Sequence, residues 1–281
     1  MASSENPVPK SAQPLPVQPR SLFQALQVRE VTPQDVKDAL RAGVIDFLRR
    51  PVLSSFFGVV YAVFGLVFIL GLLVFDKVWM TVPAGVGFPL IAPFMAVGLY
   101  EMSRRYKAGE AFTWSQIFTV IFKQQRREFG WMAFVTLFVF WIWMYQIRLL
   151  LALFLQWQSF STLDGLVTII TTTTNGMLFL GVGTIVGALL ATALFSLTVI
   201  SMPLLLDKNI DFVSAMIISV KTVQASPLVM LGWGATIAVL VFVALLPAFL
   251  GVIIVLPILG HATWHLYRRA IDDSALTAQE G

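Results

Sequence analysis

The sequence predicts an all-α membrane protein: a polytopic helical bundle of about six transmembrane helices, with short amphipathic helices on the cytoplasmic side. Its composition supports this, because the 281 residues are 58% hydrophobic and only 12% charged. Soluble domains carry about 25% charged residues, since their surface faces water. Apolar runs close to 20 residues long also recur along the chain, and this length crosses a bilayer as a helix.

The first 50 residues precede the membrane domain. Residues 1–20 contain five prolines and little that can be buried, which is typical of a disordered tail. Residues 21–50 predict an amphipathic cytoplasmic helical lead-in. Its helix begins at the sequence Thr32-Pro33, where threonine is the N-cap and proline takes the first helical position. Apolar residues from Val36 to Leu48 recur at helical spacing. This stripe lies either on the membrane surface or against the bundle.

Residues 51–271 form the predicted membrane domain. Apolar runs place its spans at about 52–75, 80–100, 129–155, 176–206, 228–246 and 248–267. The prolines between Pro83 and Pro93 predict a kink in the second span, because proline leaves backbone carbonyls without partners. The segment 156–175 is predicted to be a loop, and a turn at 246–248 divides the last long apolar run. Residues 272–281 are expected to be a disordered tail.

The basic residues predict the orientation. Except for Lys77 and Arg148, every Lys and Arg lies before the first span, after the last span, or in the polar segments 101–128 and 207–226. Each of these two segments also predicts a short amphipathic helix. Basic flanks remain cytoplasmic, so both termini are predicted to be inside. Arg148 then lies at the outer interface, where it is a solvated side chain or, in the functional alternative, binds an anion or pairs with Asp164.

Few residues offer chemistry. The chain has no cysteine, which excludes disulfides, thiolate metal sites and cysteine nucleophiles. His261 and His265 share one helix face and could hold a metal; the alternative interpretation, which the sequence favours, places both rings at the headgroup level beside Trp264 and Tyr267. The sequence contains no phosphate-binding loop, nucleophile elbow or zinc-protease motif. No catalytic activity, cofactor or nucleic-acid partner is therefore predicted.

Small residues form a stripe on the predicted fourth span, at Gly183, Gly187 and Ala191. Such stripes let two helices approach closely. The sequence favours packing within the bundle, and a homodimer face is the alternative. Membrane lipids are expected to contact the remaining apolar surface.

Three phrases carry a family resemblance: ALRAGVIDFLRRP before the first span, APFMAVGLYEMSRRYKAGE at the end of the second, and LPILGHATWHLYRRAI at the end of the sixth. Together they resemble a bacterial family of integral membrane proteins catalogued as domain of unknown function 2189, over about residues 25–271. The resemblance implies a bacterial inner-membrane location and no established activity. Its matching residues lie on the predicted cytoplasmic side, where the candidate functional surface includes Asp46, Tyr100, Glu101, Glu110, Trp264 and Tyr267.

Three functions fit these observations. The sequence favours a non-enzymatic accessory or scaffold protein that binds lipids, a partner membrane complex or a second copy through its cytoplasmic face. The second is a small-solute carrier or channel with a crevice near Pro83–Pro93. The third is a metal- or haem-binding accessory subunit of a respiratory complex, which would use His261 and His265.

Overall fold

The computed structural model describes residues 23, 25–73, 81–125, 128–155 and 163–274. Within these ranges the side chains at 68–69, 71–94, 123–125, 163–164 and 166 are not described. The predicted N-terminal tail and most of the predicted C-terminal tail therefore lie outside the described residues, as does Lys77.

Helices make up most of the described chain. In order they are α1 (Pro33–Arg49), α2 (Pro51–Leu73), α3 (Thr81–Ala108), α4 (Trp114–Gln125), α5 (Glu128–Leu155), α6 (Leu163–Thr172), α7 (Thr174–Thr198), α8 (Ser201–Asp207), α9 (Phe212–Ala225), α10 (Pro227–Leu245) and α11 (Val252–Ala270). Two short strands, β1 (Gln27–Val28) and β2 (Ile271–Asp272), pair antiparallel. The predicted all-α fold class is confirmed, and the strand pair is an addition that the sequence did not predict. It also orders the first residues of the predicted C-terminal tail.

Three helical segments of the described chain are long and apolar enough to cross a membrane: Glu128–Leu155, Thr174–Asp207 and Pro227–Leu245. A fourth is added if α1 and α2, which are bent by 103° at their junction, count as one broken span. The predicted number of six spans is therefore not confirmed, although helices occupy all six predicted positions. The apolar windows of the three segments are only 6%, 0% and 17% buried inside the protein, which fits contact with lipid.

The lead-in helix α1 begins with a capping box. The side chain of Thr32 accepts a hydrogen bond from the backbone of Asp35 at 3.2 Å, and the Asp35 carboxylate accepts one from the backbone of Thr32 at 2.9 Å. Its buried side includes Ala39 and Phe47 and packs along α11. Of the two positions left open by the sequence, the stripe thus takes the one against the bundle.

Helix α11 is the centre of the packing, since it contacts α1, α2, α3, α8 and α10. Glycines allow the closest approaches. A Cβ atom added at Gly43 would lie 2.7 Å from the backbone nitrogen of Ala262, and one added at Gly58 would lie 2.6 Å from the Cα of Ile253. Both helices α1 and α2 therefore contact the backbone of α11 directly, as small residues permit in membrane bundles.

The predicted loop at 156–175 is wrong in part, because it contains helix α6. The hydroxyls of its threonines bond to carbonyls one turn back within the helix. Thr171 donates to the carbonyl of Val167 at 2.7 Å and Thr172 to that of Thr168 at 2.6 Å. Threonine can thus continue an apolar helix without leaving its hydroxyl unbonded.

The predicted fourth span is divided into α7 and α8. Pro203 has no backbone N–H for the helical ladder, and the break lies just before it. The freed N–H of Ile200 donates instead to the hydroxyl of Ser219 in α9 at 3.1 Å. By contrast, α3 is helical throughout the range of its three prolines. The side chains of the predicted kink region, Pro83–Pro93, are not described, and the kink stays a prediction.

One end of the bundle, here called the polar end, gathers α1, α4, α8, α9, the last turns of α3 and α11, and the first turns of α5 and α10. Bonds between segments distant in sequence join these parts, such as Val31 to Ser226 at 2.8 Å and Phe212 to Glu128 at 3.0 Å. The β1–β2 pair brings both ends of the described chain to this side. The far end of the bundle contains α6 and the turn between α10 and α11.

Candidate functional site

His261 lies inside the polar end. It is fully buried, its Nε2 atom is 3.1 Å from the hydroxyl of Ser54 in α2, and its Nδ1 atom is 2.8 Å from the hydroxyl of Ser103 in α3. This position differs from the expectation that the ring sits among lipid headgroups. The imidazole instead links three helices in the interior, because all of its polar atoms find partners there.

The hydroxyl protons define the tautomer of His261. Ser103 donates its only hydroxyl proton to Oδ2 of Asp46, at 2.8 Å. The Ser103 oxygen must therefore accept the bond from Nδ1 of His261, so Nδ1 carries a proton. In the neutral ring Nε2 is then an acceptor, and Ser54 donates to it. This assignment rests on the hydrogen-bond pattern.

Asp46 in α1 anchors the other side of this network. Its carboxylate is buried and accepts bonds from Ser103, from Nε2 of His265 at 2.7 Å and from Nη1 of Arg49 at 3.2 Å. Burial raises the pKa of Asp46, but the hydrogen bonds from His265 and Ser103 outweigh it, so the pKa lies below its usual value. The network therefore holds an ionised carboxylate whose two oxygens are both engaged.

Serine, histidine and aspartate meet in this network, but they do not form a nucleophilic triad. In a triad the carboxylate orients the ring of the base that activates the serine, whereas Asp46 bonds to Ser103 and to His265. Ser54, Ser103 and His261 are also fully buried, so a substrate could not reach them. The arrangement fixes the relative positions of α1, α2, α3 and α11.

The metal site predicted at His261 and His265 has no third ligand among the described residues. Among the residues that the structure describes, no group of three His, Cys, Asp or Glu side chains could hold a metal ion. Both ring nitrogens of His261 are already engaged, and a metal would have to displace Ser54 or Ser103. The metal site stays a prediction.

A second charged cluster surrounds Glu101 in α3. This glutamate is fully buried, accepts two hydrogen bonds from Arg104 at 2.7 and 2.8 Å, and accepts a third from Arg105 at 2.6 Å. Two guanidinium groups thus compensate one buried carboxylate, which is the arrangement that a buried charge requires. Arg105 also lies 3.9 Å from the exposed carboxylate of Glu110.

A third cluster joins α8, α11 and the residues after β2. The Tyr267 hydroxyl donates to Oδ2 of Asp207 at 2.8 Å, and Nη1 of Arg268 donates to the same oxygen at 2.9 Å. Asp273 pairs with Lys208 at 2.6 Å. These bonds fasten the C-terminal end of α11 to α8.

The candidate functional surface is therefore mostly interior. Only Glu110 is exposed, whereas the other five side chains are between 0 and 6% exposed: Asp46, Tyr100, Glu101, Trp264 and Tyr267. Trp264 stacks on Tyr100 with ring centroids 6.4 Å apart. Most of these groups therefore stabilise the interior of the polar end instead of forming an exposed surface.

A basic pocket opens on the polar end beside this interior. It has a volume of about 560 Å³ and lies between α1, α3 and α11. Its lining consists of Ala42, Ile45, Asp46, Arg49, Tyr106, Lys107, His265, Arg268 and Arg269. Sequence reasoning missed this pocket, because it interpreted these basic residues as topology signals. The signal was the pair of phrases SRRYK and HLYRR, which end α3 and α11 at the same side of the bundle.

The remaining predicted positions lie away from the pocket. Arg148 is exposed in α5, and the side chain of its predicted partner Asp164 is outside the described set. A Cβ atom added at Gly183 would lie 3.6 Å from Leu150, and one at Gly187 would meet nothing within 4 Å. The small-residue stripe of α7 therefore has no close neighbour at Gly187 within the described chain, and the homodimer face stays a prediction.

Residues 80–207 match the family described as "Predicted integral membrane protein (DUF2189)". The match confirms the family resemblance and the integral membrane character, which brings the apolar surface into contact with lipids. It contains the phrase at the end of the second span, whereas the phrases in α1 and α11 lie outside the matched residues. No curated protein and no solved structure matches the chain.

Proposed function

We propose that this integral membrane protein of the DUF2189 family is a non-enzymatic accessory protein of the bacterial inner membrane. In this proposal the polar end faces the cytoplasm and is a docking surface for a partner membrane protein. The orientation is supported by the basic residues, since nearly all of them belong to segments at this end and basic flanks remain cytoplasmic.

The observation that carries the proposal is the contrast between the interior and the rim of the polar end. The interior charges are compensated within the chain, by the bonds of Asp46 and Glu101 described above. The rim, however, exposes large apolar side chains on five different helices: Leu48, Val52, Phe122, Val213 and Leu228. Large apolar side chains that are exposed beside polar groups are typical of surfaces that bind another protein or the membrane, and this supports a docking role for the polar end.

Site-specific photo-crosslinking in cells tests the proposal. A photoreactive amino acid at Val52 or Leu228 is expected to capture the same partner protein, because these side chains are 79% and 87% exposed. The matched control is Leu246, which is 68% exposed in the turn at the far end. Mass spectrometry identifies what is captured. Lipid adducts alone at both polar-end positions would contradict a docking surface for a protein.

The two other functions have less support. The crevice expected for a carrier or channel falls on Pro83–Pro93, whose side chains are not described, so it stays a prediction. A haem ligand at His261 would have to break the bond to Ser54 or to Ser103. No observation on the described residues favours either function over the accessory role.

A further inference from the structure

The lining of the basic pocket has an excess of positive charge. Arg49, Lys107, Arg268 and Arg269 all line it, and Asp46 is the one carboxylate among the lining residues that the structure describes. Both oxygens of that carboxylate already accept hydrogen bonds from the chain. The pocket therefore presents positively charged side chains, while the carboxylate of Asp46 is engaged in the interior network.

The carboxylates that balance the two arginines of α11 do not line the pocket. Arg268 bonds to Asp207 at 2.9 Å and to Asp273 at 3.2 Å. Arg269 lies 3.3 Å from Asp35 and 3.4 Å from Asp38. In these contacts each arginine uses only its Nη1 atom. The other N–H groups of each guanidinium can bind a further acceptor, and the planar fork of arginine fits a phosphate group.

Lys107 is the cation whose charge is least compensated. It is exposed and makes no ion pair within the part of the chain that the structure describes. The pKa of its ammonium group lies below the usual value, because neighbouring atoms remove part of its hydration and Arg268 repels its charge, although Asp273 and Asp207 act in the opposite direction. An anion in the pocket would offset this repulsion between cations.

We infer that the basic pocket is a binding site for a phosphate-bearing anion, held by Lys107 and the guanidinium groups of Arg49, Arg268 and Arg269. The volume of about 560 Å³ lies within the range of about 300–1,000 Å³ that is usual for small organic ligands. This site goes beyond the docking surface proposed above and does not depend on it.

Two sources can supply such a group: the headgroup of an anionic phospholipid or a soluble phosphate monoester. The surroundings of the pocket allow a lipid to reach it. Ile45 lines the pocket and is 44% exposed, and Leu48 on the same helix is 65% exposed. Helix α1 also runs at 103° to the start of α2, so it lies across the end of the bundle if α2 crosses the membrane. In that orientation the exposed side chains of Ile45 and Leu48 lie near the level of the lipid headgroups, while the rest of the apolar stripe packs against α11.

The test uses the full-length chain in phosphatidylcholine nanodiscs. In one arm phosphatidylglycerol is added and native mass spectrometry counts the molecules that stay bound. In the other arm glycerol 3-phosphate is titrated in calorimetry. Lys107→Gln is expected to weaken binding about tenfold, as the loss of a charge-assisted hydrogen bond does. Lys37 is exposed at the same end of the bundle but lies outside the pocket. Lys37→Gln is therefore expected to leave binding unchanged.

Each outcome decides the inference. Binding of either probe that Lys107→Gln weakens and Lys37→Gln retains supports the site, and the arm in which it occurs identifies the source. Absence of binding in both arms, or equal loss in the two variants, overturns it. Arg269→Gln is the second test variant in case Lys107→Gln lowers the stability of the fold. The crosslinking result at Val52 and Leu228 is a separate measurement, so the failure of one proposal does not affect the other.

Discussion

At the scale of single residues, the polar end is stabilised by a hydrogen-bond network in which almost every donor and acceptor has a partner. Ser103 donates a hydrogen bond to Asp46, and Nδ1 of His261 donates one to Ser103. Ser54 in turn donates to Nε2 of His261. Removal of one member leaves its neighbours unbonded in the interior, which costs more than the bond itself contributes. The buried histidine and carboxylates of this chain therefore have a structural role in the interior of the polar end.

Two tyrosines of the polar end provide a matched test of this argument. The hydroxyl of Tyr106 is buried without a hydrogen-bond partner among the described residues, whereas that of Tyr267 donates to Asp207 at 2.8 Å. Tyr106→Phe is therefore expected to stabilise the fold by about 1 kcal/mol, since it removes an unsatisfied polar group. Tyr267→Phe is expected to destabilise it by about 1–2 kcal/mol. Thermal unfolding in one detergent measures both, and a loss of stability in Tyr106→Phe would show that its hydroxyl has a partner.

At the scale of helices, the sequence predicted what local chemistry determines. The cap at Thr32, the apolar runs of α5, α7 and α10, and the break after Leu245 follow from residue types and their spacing. Tertiary contacts determine the rest. The position of α1 against α11 depends on Gly43, whose meaning appears only when the partner helix is known.

The candidate site could also be predicted only in part, because its contacts join residues that are distant in the sequence. The sequence named His261, His265 and Asp46 as separate features, and placed the histidines at the membrane surface. Residues 46 and 261 lie in different helices, and only the fold shows that Ser54 and Ser103 complete their hydrogen bonds. The basic pocket was missed for a related reason, because basic residues after a span have a sufficient explanation in topology.

The contact of α1 with α11 can be tested at its closest point. Gly43→Ala places a methyl group 2.7 Å from backbone atoms of Ala262 and Ile258, so the two helices must move apart. A loss of about 1–3 kcal/mol is expected, as for other overpacked interiors. This corresponds to a decrease of at least about 2 °C in the apparent melting temperature. The control is Gly232→Ala in α10, whose added methyl group would meet nothing within 4 Å and is expected to leave the melting temperature unchanged or raise it. Equal effects of the two variants would contradict the close helix contact.

At the scale of the whole molecule, charge and apolar surface are separated along the bundle. Side chains on the flanks of α5, α7 and α10 are apolar and exposed, while the networks around Asp46, Glu101 and Asp207 all lie at the polar end. The paired strands bring residues 27 and 272 together at that end. Two residues on the same side of the membrane are joined by an even number of crossings, so the pairing of residues 27 and 272 requires an even number between them.

The orientation that the proposed function requires can be measured directly, because the chain has no cysteine. Glu110→Cys places one thiol at the exposed link between α3 and α4 at the polar end, and Thr174→Cys places one at the exposed start of α7 at the far end. With the polar end in the cytoplasm, a membrane-impermeant maleimide is expected to label Thr174→Cys in intact cells. It should label Glu110→Cys only after the membrane is permeabilised. The reverse pattern would place the basic pocket and the docking surface outside the cytoplasm, against the direction that the basic residues favour. Labelling of both thiols in intact cells would contradict a bundle whose two ends lie on opposite sides of the membrane.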